Sequence, residues 1–158
     1  MEECNLLPVG IPFLKSRRII PEFPPKFSCA SSGAQLRTNG TLTRLTSKIW
    51  VYKFDDDKEK PRVEFKYSTT EEEVHYISDK WNTIEKASFY LSNTIDKVFD
   101  DTKVGKISDG KYIILKDVFE DGHIEVSCLE IIELTTTTFK CRDIEGDEYS
   151  DTITLYGK

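Results

Sequence analysis

A chain of 158 residues, 38% hydrophobic and 32% charged, suits one domain with a sizeable core and needs no disulfide or metal staple. Nothing in it approaches the roughly 18 consecutive apolar residues of a membrane helix, so no integral span is expected. The net charge of −6 is uneven: residues 1–46 carry six Lys/Arg against three Glu, or +3, leaving −9 on the remaining 112 residues, a body that repels phosphate backbones and argues against nucleic acid as a partner.

In chain order, the first segment stands apart. Five of the six prolines (Pro8, Pro12, Pro21, Pro24, Pro25) precede residue 46, and proline breaks helix and ladder alike. Phe23-Pro24-Pro25-Lys26-Phe27 favours an extended run, and Cys29-Ala30-Ser31-Ser32-Gly33 reads as a joint. An acidic start and an apolar run interrupted by Pro8, Gly10 and Pro12 do not match a signal peptide. Residues 1–44 are therefore expected to be a proline-rich, poorly structured extension, and residues 45–158 the folded domain.

From residue 45 the pattern is strand, turn, strand. Ile49 to Phe54 is β-branched and aromatic and ends at Asp55-Asp56-Asp57. Arg62 to Tyr67 alternates, with Val63, Phe65 and Tyr67 on one face and charges on the other. Glu72 to Ile77 is a weaker strand, Ser78 to Glu85 the one candidate helix, and Lys86 to Ser92 a further strand. Ser108-Asp109-Gly110 turns the chain into Lys111 to Lys116, and Glu120-Asp121-Gly122 into a long strand ending near Leu134. Along that strand the apolar parity switches between Cys128 and Leu129, which calls for a β-bulge near Glu130 or burial on both faces. Thr135-Thr136-Thr137 and Glu145-Gly146-Asp147 are turns around Thr138 to Asp143, and Thr152 to Tyr156 closes the chain. Some eight short strands with frequent turns predict an all-β fold, an antiparallel barrel or sandwich.

Chemistry-bearing motifs are sparse. Cys4, Cys29, Cys128 and Cys141 contain no CxxC, and His75 and His123 each stand alone, so no metal site is expected. Cys128 and Cys141 lie in apolar runs and read as buried free thiols. Asp55-Asp56-Asp57 and Asp143 to Asp147 lack the residue order of a calcium loop. Glu71-Glu72-Glu73 reads as a charged strand start. With no G-x-S-x-G, P-loop or HExxH, neither catalysis nor a cofactor is expected.

Three segments resemble a known family. Leu45-Thr46-Ser47-Lys48-Ile49-Trp50 looks like the opening of the bacterial lipocalin-like domains, although Ser47 stands where they usually carry Gly. Tyr90-Leu91-Ser92, Phe99 to Lys106 and Gly110-Lys111-Tyr112-Ile113 resemble the middle of that family, and Ile131 to Thr135 with Tyr156-Gly157-Lys158 its end. The resemblance covers residues 45–158. It implies an up-and-down barrel of about eight strands, usually exported to the cell envelope, with Trp50 plugging the closed end. A barrel of that size holds packed side chains or one small ligand. The candidate lining is Trp50, Tyr52, Phe54, Phe65, Tyr67, Phe89 and Phe139, and the expected partner is a small hydrophobic or amphipathic molecule. The alternative is an envelope interaction module in which these rows fill a solid core. Lys158 is a candidate cation–π partner for Trp50.

Overall fold

The computed structural model describes residues 40–53, 62–78, 82–145 and 148–158. Among the described residues, nine strands follow one short α-helix, with a single 3-10 turn at Asp101–Lys103: α1 (Thr41–Thr46), β1 (Ile49–Tyr52), β2 (Arg62–Tyr67), β3 (Glu71–Ile77), β4 (Asn82–Ser92), β5 (Tyr112–Val118), β6 (Ile124–Leu134), β7 (Thr138–Glu145), β8 (Glu148–Tyr149) and β9 (Ile153–Gly157). All pairings are antiparallel and run in sequence from β1 to β7, and β9 pairs with both β7 and β1. The result is the expected closed eight-stranded up-and-down barrel, with β8 as a short prelude to β9 on the same edge of β7.

Period-two burial drives closure. On β3 the pattern is strict: Glu72, Val74 and Tyr76 are buried and their neighbours are not. Such alternation sends one row of each strand into a shared interior, where burial of apolar area is favourable by about 25 cal/mol per Å². One inner cluster contains Leu45, Trp50, Tyr67, Phe89, Ile113 and Phe139, all at most 3% exposed. On β6 the parity switch reflects burial on both faces. Leu129 and Ile131 point inward, while Cys128 joins an outer cluster. The bulge falls just later, between Ile131 and Glu133, and returns Leu134 to the interior. Cys128 and Cys141 are buried, and neither forms a disulfide.

Two elements differ from the sequence reading. The candidate helix at Ser78 to Glu85 is not a helix: Asn82 to Glu85 open β4, and residues 79–81 lie outside the described residues. Its polar composition belongs to a strand end that stands in solvent, where Ile84 is 55% exposed. The observed helix is α1, which begins inside the segment expected to be an unstructured extension. Gly40 enters it at φ 110° without a side-chain cap of its own. Instead Asp109 accepts the N–H groups of Gly40 (3.0 Å) and Thr41 (3.3 Å), supplying acceptors that a helix start needs. Leu45 is fully buried, Arg44 donates to the Leu134 carbonyl at 2.9 Å, and α1 thereby closes one end of the barrel. Residues 1–39 lie outside the described residues.

The long β4–β5 connection covers the outside of the barrel. Tyr90, Ile114, Cys128 and Ile144 are successive cross-strand partners on β4, β5, β6 and β7 and form a buried outer row. Phe99 and Val104 pack on it from the connection, with Phe99 4.9 Å from the Tyr90 ring. Asp96 pins this cover: it accepts from Thr94 Oγ1 (2.7 Å), Tyr90 Oη (2.8 Å) and Lys103 Nζ (3.0 Å). The Thr94 hydroxyl contributes most, ahead of Lys103 and Tyr90, and together they outweigh burial and hold the Asp96 carboxyl at about 2. Tyr90 is pushed up to about 12, first by burial and then by its bond to this carboxylate.

Asp96→Ala is expected to cost about 2 kcal/mol at neutral pH, since three charge-assisted bonds disappear together. A carboxyl held below its unfolded value stabilises fully above that value and loses its contribution as pH falls toward the folded one. The gap in urea midpoint between wild type and variant should therefore close as pH falls from about 4 to about 2. A gap that stays constant over that range would show that Asp96 does not anchor the cover.

Candidate functional site

The two ends of the barrel are built differently. At the closed end rings meet edge to face: Trp50 on Phe139 (5.7 Å), Phe139 on Tyr67 (6.3 Å) and Tyr67 on Phe89 (5.5 Å). The Trp50 indole N–H donates to the Leu45 carbonyl at 3.0 Å, so Trp50 plugs this end with its one donor satisfied. Lys158 does not lie on Trp50; its ammonium is 3.1 Å from Glu64 on the outer face of β2.

Above this floor the interior opens into a pocket. Tyr52, Val63, Phe65, Tyr67 and Tyr76 form one wall, because inward positions on β1, β2 and β3 pair in register (Tyr52 with Val63, Val63 with Tyr76). Leu129, Cys141, Asp143, Ser150, Ile153 and Leu155 form the other. The enclosed space is about 30 Å³. That admits about two waters or a group of similar size, against roughly 300–1,000 Å³ for a common drug-sized site.

Of the candidate lining residues, Tyr52, Phe65 and Tyr67 border this pocket. Trp50, Phe89 and Phe139 lie below it as solid floor, each at most 1% exposed. Phe54 lies outside the described residues. Asp143, Ser150 and Tyr76 were not anticipated. Asp143 continues the inward parity of Phe139 and Cys141, a signal present in the sequence but masked by the acidic turn that follows. Its position is fixed by a one-residue bulge in the returning strand: Ile144 pairs with Tyr149, whereas Cys141 pairs with Ile153. Ser150 spans the gap, its Oγ accepting the Asp143 N–H at 2.8 Å and its N–H donating to the Asp143 carbonyl at 2.9 Å.

Several other inward positions are acidic, most of them near the open end. Asp117 and Glu125 are cross-strand partners on β5 and β6, continuing the inward rows of Leu115 and Ser127. Glu125 has its carboxyl pushed above the usual range, first by burial and then by Asp117; His123 opposes this, and Glu145 and Asp143 add to it. Glu85 accepts a hydrogen bond from Tyr76 Oη at 3.2 Å. Glu72, taken from sequence as part of a charged strand start, turns inward beside Tyr67 and is 2% exposed. Its neighbour Glu73 points outward, and bonds to Lys86 and then His75 pull it down to about 2.

Among the described residues no group of three or more His, Cys, Asp or Glu is arranged to hold a metal ion. His75 lies against Glu73 outside the barrel, and His123 lies in the β5–β6 turn with its ring 5.6 Å from Phe119. No helix of the described residues is long and apolar enough to cross a membrane. Comparison with protein-family models, curated proteins and solved structures gave no match.

Proposed function

We propose that this protein is a lipocalin-like binding barrel without catalytic activity, whose open half receives the end of one small amphipathic molecule. The observation that carries this reading is the contrast between the two halves of one interior. The closed half is filled, chiefly by apolar side chains, with Glu72 buried beside them. The open half presents phenols and a carboxylate around unfilled space, and polar groups are costly to place in a barrel that needs only a solid core. The size of that space limits the occupant to a short chain or a head group, with any larger part projecting through the mouth.

Titration of the full-length protein with 1-butanol, followed by amide NMR, tests this. Shifts should concentrate at Tyr52, Phe65, Cys141 and Leu155 and be small at Ile113 and Leu115 in the closed half. Val63→Phe, which fills the wall of the pocket, should weaken binding at least about fivefold at a fold-preserving cost of about 1–3 kcal/mol. Absence of saturable shifts, or shifts confined to the barrel exterior, would exclude the pocket.

A specific observation favours a second reading. The enclosed space is about 30 Å³, and the exterior carries exposed apolar side chains at the β5–β6 hairpin, where Val118 and Ile124 are cross-strand partners, each 54% exposed. In that reading the barrel is a solid scaffold, an interaction module whose working surface is outside. The same titration separates the two.

A further inference from the structure

We infer that the ligand of this pocket is an organic cation, a small amine whose ammonium group meets Asp143 and whose short apolar tail rests among Tyr52, Phe65, Tyr67 and Tyr76. The inference rests on the pocket-binding reading above and deepens it by naming the chemical class.

Three observations independent of one another point the same way. First, Asp143 is the one charged side chain among the described residues lining the pocket, and no lysine or arginine among them lies within salt-bridge distance of it. Second, the rest of the lining is chiefly aromatic and aliphatic and carries no basic group, so it receives an apolar tail while the carboxylate takes a positively charged end. Third, among the described residues the charged inward strand positions near the open end carry one sign. Asp117 and Glu125, cross-strand partners there, are acidic like Asp143, and no described lysine or arginine holds an inward strand position. A low-dielectric cleft lined by one sign of charge raises the local concentration of its counter-ion and repels the opposite class. An anionic amphiphile such as a fatty acid would meet this field head-on.

The pocket also orders the two ends of the ligand. Leu129, Cys141 and Leu155 lie on the floor side, next to the packed rings, whereas Asp143 follows Cys141 toward the mouth along β7. The apolar end therefore enters first and the ammonium remains near the rim, where partial hydration lowers the desolvation cost of the charge. With space for about two heavy atoms, the end of a straight-chain primary amine enters and a branched one does not.

The test compares three molecules of equal chain length on the full-length protein by amide NMR titration at neutral pH: butylamine, 1-butanol and butyrate. Butylamine should bind about tenfold or more tighter than 1-butanol, the ratio expected for one charge-assisted bond, and butyrate should not bind. Asp143→Asn keeps the side-chain shape and should abolish the preference, so that butylamine and 1-butanol bind the variant alike. Glu148→Gln makes the same charge change on an exposed strand outside the pocket and should leave the ratio intact. Equal binding of amine and alcohol by the wild type overturns the cation assignment and leaves the pocket standing. Absence of binding by all three overturns the pocket and this inference with it. If Asp143→Asn does not fold, the wild-type ratio alone decides.

Discussion

Trp50→Ala is expected to remove about 3–5 kcal/mol of stability, a large share of what a single domain possesses, and to leave much of the population unfolded at physiological temperature. Trp50 is fully buried and sits at one end of the ring series that continues through Phe139 and Tyr67 to Phe89. Those four rings come from β1, β7, β2 and β4, so the series ties strands from across the barrel to one another. Truncation leaves a cavity that the rigid ring of strands cannot collapse into, and it removes the donor to the Leu45 carbonyl that docks α1. Trp50→Phe separates the two contributions: most of the volume returns and the hydrogen bond does not, so a cost of about 1–2 kcal/mol is expected. Urea unfolding followed by circular dichroism measures both. A Trp50→Ala midpoint within about 1 kcal/mol of wild type would show that the floor of the pocket is soft, and would remove the contrast between filled and open halves on which the binding proposal stands.

What could be read in advance follows from where the determining interactions lie along the chain. The strand Arg62 to Tyr67 was found with its observed boundaries because its alternation is complete within six residues and owes nothing to the rest of the chain. The burial of Cys128 and Cys141 without a disulfide follows in the same way from their apolar surroundings. Helix α1 could not be seen. Thr-Leu-Thr-Arg-Leu-Thr is short and rich in a poor helix former, and the side chain that caps it, Asp109, lies 68 residues further on. The opposite error at Ser78 to Glu85 arose because a strand end in solvent loses its apolar row and with it the only local signal of strand. The pocket shows both limits at once. Its aromatic wall was visible as parity on β1 and β2. Its second wall depends on the pairing of β7 with β9 and on one extra residue between Ser150 and Ile153, and no local pattern encodes which strands will be neighbours when the sheet closes. The aromatic rows by themselves suggest a small hydrophobic or amphipathic molecule or a solid core, whereas the closed barrel places a carboxylate beside them, and the cation proposal draws on that carboxylate.

Gly110→Ala is expected to destabilise the domain by about 2–3 kcal/mol for a reason unrelated to backbone freedom. A Cβ at this position would stand 2.7 Å from the Ser92 nitrogen, 2.8 Å from its oxygen and 3.0 Å from the Leu91 Cβ. The first two are backbone atoms at the end of β4, where Ser92 pairs with Tyr112, so relief requires the sheet itself to shift. Displacement would pass directly to the closed end. Asp109, the adjacent residue, accepts the first N–H groups of α1, and the Ser108 carbonyl accepts the Leu42 N–H at 3.0 Å. Hydrogen exchange should consequently show the amides of Thr41 and Leu42 losing protection in Gly110→Ala by more than the global loss of stability explains. Gly122→Ala is the appropriate comparison. Gly122 has φ 83°, and no atom lies within 4 Å of a Cβ placed there, so its cost of about 1 kcal/mol comes from left-handed backbone strain alone and should leave α1 protected relative to the global change. If the two variants exchange alike at Thr41 and Leu42, the turn at Gly110 does not hold the helix, and the plug over the closed end is maintained by Leu45 and Trp50 without it.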